Sequence, residues 1–276
     1  MLMSGIGINF DMITSSRIGR YGNLCNSMFQ FAAVIGMAKK TGHSFTIPKK
    51  ESYYEPGYGC TNTSLFDGFK IDVPIYEGGK VKEVEFPFHY EDKYVPDQTD
   101  MVGFFQSEKY FEDAEEEIKA QFVIKDELKA QVDDKIKRGI YPDPDTCTSL
   151  HLRLGDYQLN RDHHPAQPAS YWQDAVSMSG LDNIVVFSDD VEQAKRMFEG
   201  NNRVIYAEEQ NPFTALYHMS LCRNHIICNS TFGWWGAKLG EWYNPVKKLV
   251  IAPKLWFGKA HNLNPKDIIP ERWQLL

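Results

Sequence analysis

One stretch of the chain gathers residue types that bind an anion: Thr148-Ser149-Leu150-His151-Leu152-Arg153-Leu154, closed by Gly155, Asp156 and Tyr157. Apolar and β-branched residues dominate it, so it reads as a buried strand, predicted over Thr148–Leu154. Side chains alternate across a strand, which puts His151 and Arg153 on one face and Leu150, Leu152 and Leu154 on the other. An arginine in such a run needs a negative partner. That partner is either a ligand at the carboxyl edge of a parallel sheet, where α/β folds bind, or a protein carboxylate such as Asp156. Two further stretches have the same form, a strand followed by polar residues. Ser188-Asp189-Asp190 follows Ile184–Phe187. Its acids can accept from a nucleobase amine or a ribose hydroxyl, or they can cap the next helix. Asn229-Ser230-Thr231-Phe232 follows His225–Cys228. Amides and hydroxyls at a helix start make a phosphate site, although Ser230 can equally be a plain cap.

These residues need a sheet to align them, and the second half of the chain supplies its pattern. Strands are predicted at Thr148–Leu154, Ile184–Phe187, Val204–Tyr206, His225–Cys228 and Leu249–Ala252. Helices fit between them at Ser170–Met178, Val191–Phe198, Pro212–Cys222 and Thr231–Trp242. This alternation predicts a parallel sheet with helices on both faces. The first half is a looser version. A strand at Gly5–Ile13, a Ser/Gly-rich loop, an apolar helix at Met28–Lys40 stopped by Gly42, and a strand at His43–Ile47 make one β-loop-α-β unit. Residues 51–100 predict irregular structure with short strands. Met101–Gln106 reads as a strand, Ser107 as the cap of a helix to Phe122, and Asp126–Arg138 as a second helix ended by Gly139. Pro142-Asp143-Pro144-Asp145 is the expected domain boundary. The fold class is therefore α/β, with two Rossmann-like domains facing a cleft, 1–140 and 141–276.

Composition narrows the function classes. The chain has 276 residues and a formal net charge of -7, which argues against a general nucleic-acid binder. Five cysteines without a CxxC pair read as reduced core thiols. There is no basic start before an apolar run and no apolar stretch long enough for a bilayer, so the expectation is a cytoplasmic protein with no transmembrane segment. The sequons at Asn62 and Asn229 are discounted on that ground. His163-His164 finds no third ligand at metal spacing, so no metal is expected. No Gly-x-Ser-x-Gly elbow is present.

Taken in order, these pieces resemble the α-1,2-fucosyltransferases, the galactoside O2-fucosylating enzymes of glycosyltransferase family 11. Gly19-Arg20-Tyr21-Gly22-Asn23 with Met28-Phe29-Gln30-Phe31-Ala32 is similar to the family's glycine loop and the helix after it. Gly103 to Phe111 is similar to its middle pattern, and His151 to Tyr157 to its His-x-Arg-Arg-Gly-Asp-Tyr. Phe187-Ser188-Asp189-Asp190, His225 to Ala237, Val250 to Pro253, Trp256-Phe257 and Pro270 to Trp273 complete the set. Two positions depart from it. Leu24 to Ser27 take the place of one family glutamine, and Leu154 stands where the family has a second arginine.

The resemblance implies an inverting, metal-free glycosyltransferase of the GT-B type that moves L-fucose from GDP-β-L-fucose to the O2 hydroxyl of a terminal galactose. The partners are then GDP-fucose and a galactose-terminated glycan, with membrane association only through a glycolipid acceptor. Domain 1–140 would be the acceptor side and 141–276 the GDP-sugar domain. Arg153 and Asp156 would be catalytic, with Asp162 and His163 as other candidates for the base. The donor would be held by Gly22, Asn23, His151, Arg153, Ser188, Asp189, Asp190, Asn229, Ser230, Thr231 and Phe232, with His151 and one of the two acids reading guanine. A fucosyltransferase with another acceptor, or a catalytically silent GDP-sugar- or glycan-binding homologue, would share these residues.

Overall fold

The computed structural model describes residues 12–54, 63–155, 157, 162–244, 246, 248–260 and 263–276. The chain forms two units, one of residues 1–67 and 71–121, the other of residues 68–70 and 122–276. Each is built on a parallel sheet, so the expected α/β class is observed.

In the first unit the sheet order is β2-β1-β4-β3, from strands Met12–Thr14 (β1), Ser44–Phe45 (β2), Lys82–Glu85 (β3) and Thr99–Val102 (β4). Helix α1, Leu24–Thr41, is apolar nearly all round and buried from Leu24 to Ala38, apart from Asn26. Gly42 stops it at φ 76°, the left-handed conformation a glycine adopts without strain. The helix starts four residues earlier than periodicity predicts. Leu24–Ser27, the apparent loop insertion, is its first turn, so three extra residues are absorbed by close to one turn of helix. Ser107 caps only a short 3₁₀ turn, Glu108–Tyr110. The expected long helix is reduced to α3, Glu115–Gln121; earlier in the chain a single turn, α2, spans Leu65–Gly68. The strand expected to run to Gln106 stops at Val102. The part of the predicted Gly5–Ile13 strand before Met12 lies outside the described residues.

The second unit has the order β10-β9-β8-β5-β6-β7, with Cys147–Leu152 (β5), Asn183–Ser188 (β6), Val204–Tyr206 (β7), Asn224–Ile226 (β8), Val250–Ala252 (β9) and Gln274–Leu275 (β10). Helices α4 (Asp126–Lys137), α5 (Ala169–Ser179), α6 (Val191–Met197), α7 (Pro212–Leu221) and α8 (Thr231–Tyr243) accompany them. Alternation sorts the sheet's two faces. Leu150, Leu152, Ile184 and Val186 pack with Tyr171, Trp172 and Ala175 of α5 and Ala194 of α6. Cys147, Val185 and Phe187 pack with Ala215 and Met219 of α7 on the other side. Both faces are covered, as a buried parallel sheet requires.

The domain boundary is not where sequence put it. The second unit begins at Phe122 rather than at residue 141, and it takes in Gly68–Lys70. Helix α4 belongs to it because Lys135 ion-pairs at 3.1 Å with the buried Glu209. The Pro142–Asp145 stretch is a turn within the unit: Asp143 accepts from the Asp145 amide at its 3₁₀ start.

Candidate functional site

The ends of three adjacent strands, β8, β5 and β6, meet on one edge of the second sheet. From β5 the chain winds to β6 and β7 on one side, and β8, β9 and β10 lie on the other. The order therefore reverses between β5 and β8, and such a switch point is where open α/β sheets hold ligands at their carboxyl ends. Arg153 follows β5 and Asn229-Ser230-Thr231 follows β8, so the two expected anion-binding groups flank this point.

Strand β5 ends at Leu152, two residues short of prediction. Arg153 thus leaves the ladder, and strand parity does not set its direction. Its side chain is 29% exposed, and Nη1 lies 3.2 Å from Asp189 Oδ2. The protein-carboxylate alternative is thus realised with Asp189 as the acid. Asp156 lies outside the described residues. Asp189 also accepts the Leu154 amide on Oδ1 at 2.8 Å and the Gly155 amide on Oδ2 at 3.1 Å. Leu154, the departure from the family arginine, packs its side chain against the sheet's apolar cluster.

The residues expected to read guanine each have partners within the chain. Asp190 caps α6, accepting from the Gln193 amide at 2.9 Å. Ser188 closes a local turn with the Asp190 amide and carbonyl. Asp189 uses three of its roughly four acceptor positions within the chain. His151 does not face an open edge. It is 5% exposed, its Nδ1 lies 3.3 Å from Cys228 Sγ, and its ring packs on Phe232 at 5.3 Å. Burial, helped by the nearby Arg153 charge, lowers its pKa to about 3, so it is a neutral core imidazole. Burial likewise pushes the Cys228 thiol up to about 12. A side chain at Gly233 would come within 2.9 Å of His151 Nδ1, so the glycine makes room for the ring.

At β8 the polar run is framed by the chain itself. Asn229 donates from Nδ2 to the Trp256 carbonyl at 3.0 Å and accepts from Gln167 Nε2 at 3.1 Å. Tyr157 donates to its carbonyl at 2.9 Å. Asn229 is therefore a brace for the loop, with its side chain turned to protein. Ser230 caps α8 by accepting from the Phe232 amide at 3.3 Å. Thr231 opens the helix, whose first amides lack intrahelical acceptors and carry the positive end of the dipole.

The first unit has its own reversal, between β1 and β4. Gly22, at φ 76°, brings the loop backbone against Asn26, where a Cβ would stand 1.9 Å from Asn26 Nδ2. Asn23 is the N-cap of α1 by position, but its side chain makes no cap hydrogen bond. Sequence reading gave no role to three residues that hold this edge. Gln30, fully buried, donates from Nε2 to the Tyr21 and Gly103 carbonyls at 3.3 Å each, joining the two loops. Gln106 donates to Asn26 Oδ1 at 3.1 Å. A glutamine inside an apolar helix was the available signal for Gln30. Gln106 lies in the Gly103–Phe111 stretch that resembles the family, and Asn26 is the alternative to Asn23 as the family asparagine, but neither signal points to their contact with each other.

Among the described residues no helix is long and apolar enough to cross a membrane. The sequence model for Glycosyl transferase family 11 matches residues 11–272. An alpha-1,2-colitosyltransferase of Escherichia coli is 28% identical, over 91% of this chain and 95% of its own length. The O-antigen biosynthesis glycosyltransferase WbnK of Escherichia coli is 31% identical over 57% of this chain, which spans only 55% of that relative. The galactoside 2-alpha-L-fucosyltransferase SEC1 of Bos taurus is 23% identical over 80% of this chain and 63% of its own length. Among solved structures, the fucosyltransferase NodZ from Bradyrhizobium superposes with a TM-score of 0.57 at 14% identity, over 83% of this chain and 93% of that one. An alpha/beta fold shared with a fucosyltransferase and a family match along almost the whole chain agree: this protein belongs to glycosyltransferase family 11.

Proposed function

We propose that the protein transfers L-fucose from GDP-β-L-fucose to the O2 hydroxyl of a terminal galactose, with inversion at the anomeric carbon. The observation that supports this most is the pair of anion-binding groups at the β5/β8 switch point, Arg153 and the start of α8. A departing GDP carries its new charge on the β-phosphate. A guanidinium and helix-start amides fixed beside it stabilise that charge without a metal or other cofactor. The acceptor hydroxyl attacks opposite the leaving diphosphate, through an oxocarbenium-like transition state. Asp156 is our candidate for the base that takes its proton. The first unit, with its Gly22-Asn23 loop, is proposed as the acceptor side.

A second reading has its own support. The colitosyltransferase relative matches 91% of this chain, so a colitosyl donor at the same site competes with fucosyl. The two are separated by supplying GDP-fucose and the corresponding colitosyl donor with a panel of galactosides, and measuring GDP release for each. Arg153→Ala should lower transfer by roughly 10²-fold or more and weaken GDP binding. Turnover near wild type in that variant would remove Arg153 from the site.

A further inference from the structure

We infer that Asp189 is a positioning residue for the diphosphate: it clasps Arg153 and the turn at residues 153–155, and takes no part in selecting the base. The inference rests on the donor reading above. In the ladder Leu152 pairs with Ser188, so Asp189 is the first residue beyond β6 just as Arg153 is the first beyond β5. Residues 153–155 have left the sheet and lack its hydrogen bonds, and Asp189 replaces them. Its Oδ1 takes the Leu154 amide and its Oδ2 the Gly155 amide, while the same Oδ2 lies 3.2 Å from Arg153 Nη1. One carboxylate thus fixes both the backbone that carries the arginine and the guanidinium itself.

Gly155 is part of the device. A Cβ there would stand 2.8 Å from Asp189 Oδ2, so only a glycine lets the carboxylate approach this amide so closely. A guanidinium has five donors and can serve more than one acceptor at a time. Arginine side chains lose considerable rotamer freedom when immobilised. An arginine held in place before the donor arrives forgoes that loss on binding.

The test is a double-mutant cycle on the full chain, with GDP, ADP and inorganic pyrophosphate as calorimetric probes. Asp189→Asn should weaken pyrophosphate and GDP binding severalfold and lower kcat at least tenfold, with the GDP-to-ADP affinity ratio unchanged. In the Arg153→Ala background the same substitution should change pyrophosphate binding less than twofold. Gly155→Ala keeps the charge but displaces the carboxylate. It should reproduce the loss and the coupling to Arg153, and it decides the matter if Asp189→Asn does not fold. Equal losses with and without Arg153, or a collapse of the GDP-to-ADP ratio, would overturn the inference while leaving the donor reading intact. A wild-type chain that binds neither GDP nor pyrophosphate would overturn the donor reading, and the clasp with it.

Discussion

His151 and His225 must stay neutral to remain where they are. His225 is fully buried, with Nδ1 2.7 Å from Ser149 Oγ. A Cβ on Gly240 would lie 2.7 Å from its Nε2. Burial lowers its pKa to about 3, with the nearby Lys248 charge adding to the effect. The unfolded chain, where histidine titrates near 6.5, therefore binds more protons than the native one as pH falls. The two imidazoles stabilise the fold fully above about pH 6.5 and progressively less as pH drops toward their native values. At about pH 4.5 the loss should be about 3 kcal/mol per histidine. Chemical denaturation from pH 7 to 4.5 should show this slope, and a folded His225→Gln variant should show it reduced by about half. A slope identical in wild type and variant would mean that His225 is not held neutral. At this scale the residue types of the site were readable in sequence, since the strand, the arginine and the helix start all fall within a residue or two of expectation. What periodicity does not report is where a hydrogen-bonded ladder stops. That decides whether Arg153 obeys strand parity, and whether Asp189 faces a base or its own chain.

Elements with a strong single pattern were read well, and those held by contacts distant in sequence were not. Helix α1 announced itself by an apolar run, yet Gly36 within it looks only like a weak point. It is the place where the helix meets the backbone near Tyr110. A Cβ on Gly36 would stand 2.1 Å from the Tyr110 carbonyl oxygen and 2.6 Å from Phe111 Cα. Backbone does not yield as a side-chain tip would. Alanine normally stabilises a helix interior over glycine by about 1 kcal/mol. Here Gly36→Ala should instead destabilise by about 1–3 kcal/mol through overpacking. Urea denaturation measures it, and a gain in stability would show that the close approach is absent in solution. The long helix expected after Ser107 fails for the complementary reason. Its cap signal is real, since Ser107 accepts from the Lys109 amide, but only three residues continue before Phe111 leaves helical geometry at φ -145°.

For the molecule as a whole, the boundary between units was the largest misreading. Proline and aspartate at 142–145 look like a linker, but the decisive contacts lie among residues scattered along the chain. Glu209 is buried between Lys135 and His218, at 3.1 and 3.6 Å. Burial alone would raise its carboxyl, but the neighbouring His218 ring and the hydrogen-bonded Lys135 charge outweigh it and hold the pKa at about 2. Removing α4 would leave a buried carboxylate short of its cation, a costly deletion. A fragment of residues 122–276 should therefore unfold at higher urea concentration than one of 141–276. Equal midpoints would indicate that α4 is dispensable.

Gly68–Lys70 are counted with the second unit although residues 71–121 intervene. Phe69 bridges to Ile124 and packs on the rings of Phe122 and Phe213, and a Cβ on Gly68 would stand 2.0 Å from Phe213 Cγ. The chain therefore offers no single crossover at which relatives can exchange units. A chimera joined once at 121/122 inherits Phe69 from one parent and Phe122, Ile124 and Phe213 from the other. An exchange that respects the structure must carry residues 68–70 with the second unit's parent, which takes a separate junction on each side of that short segment.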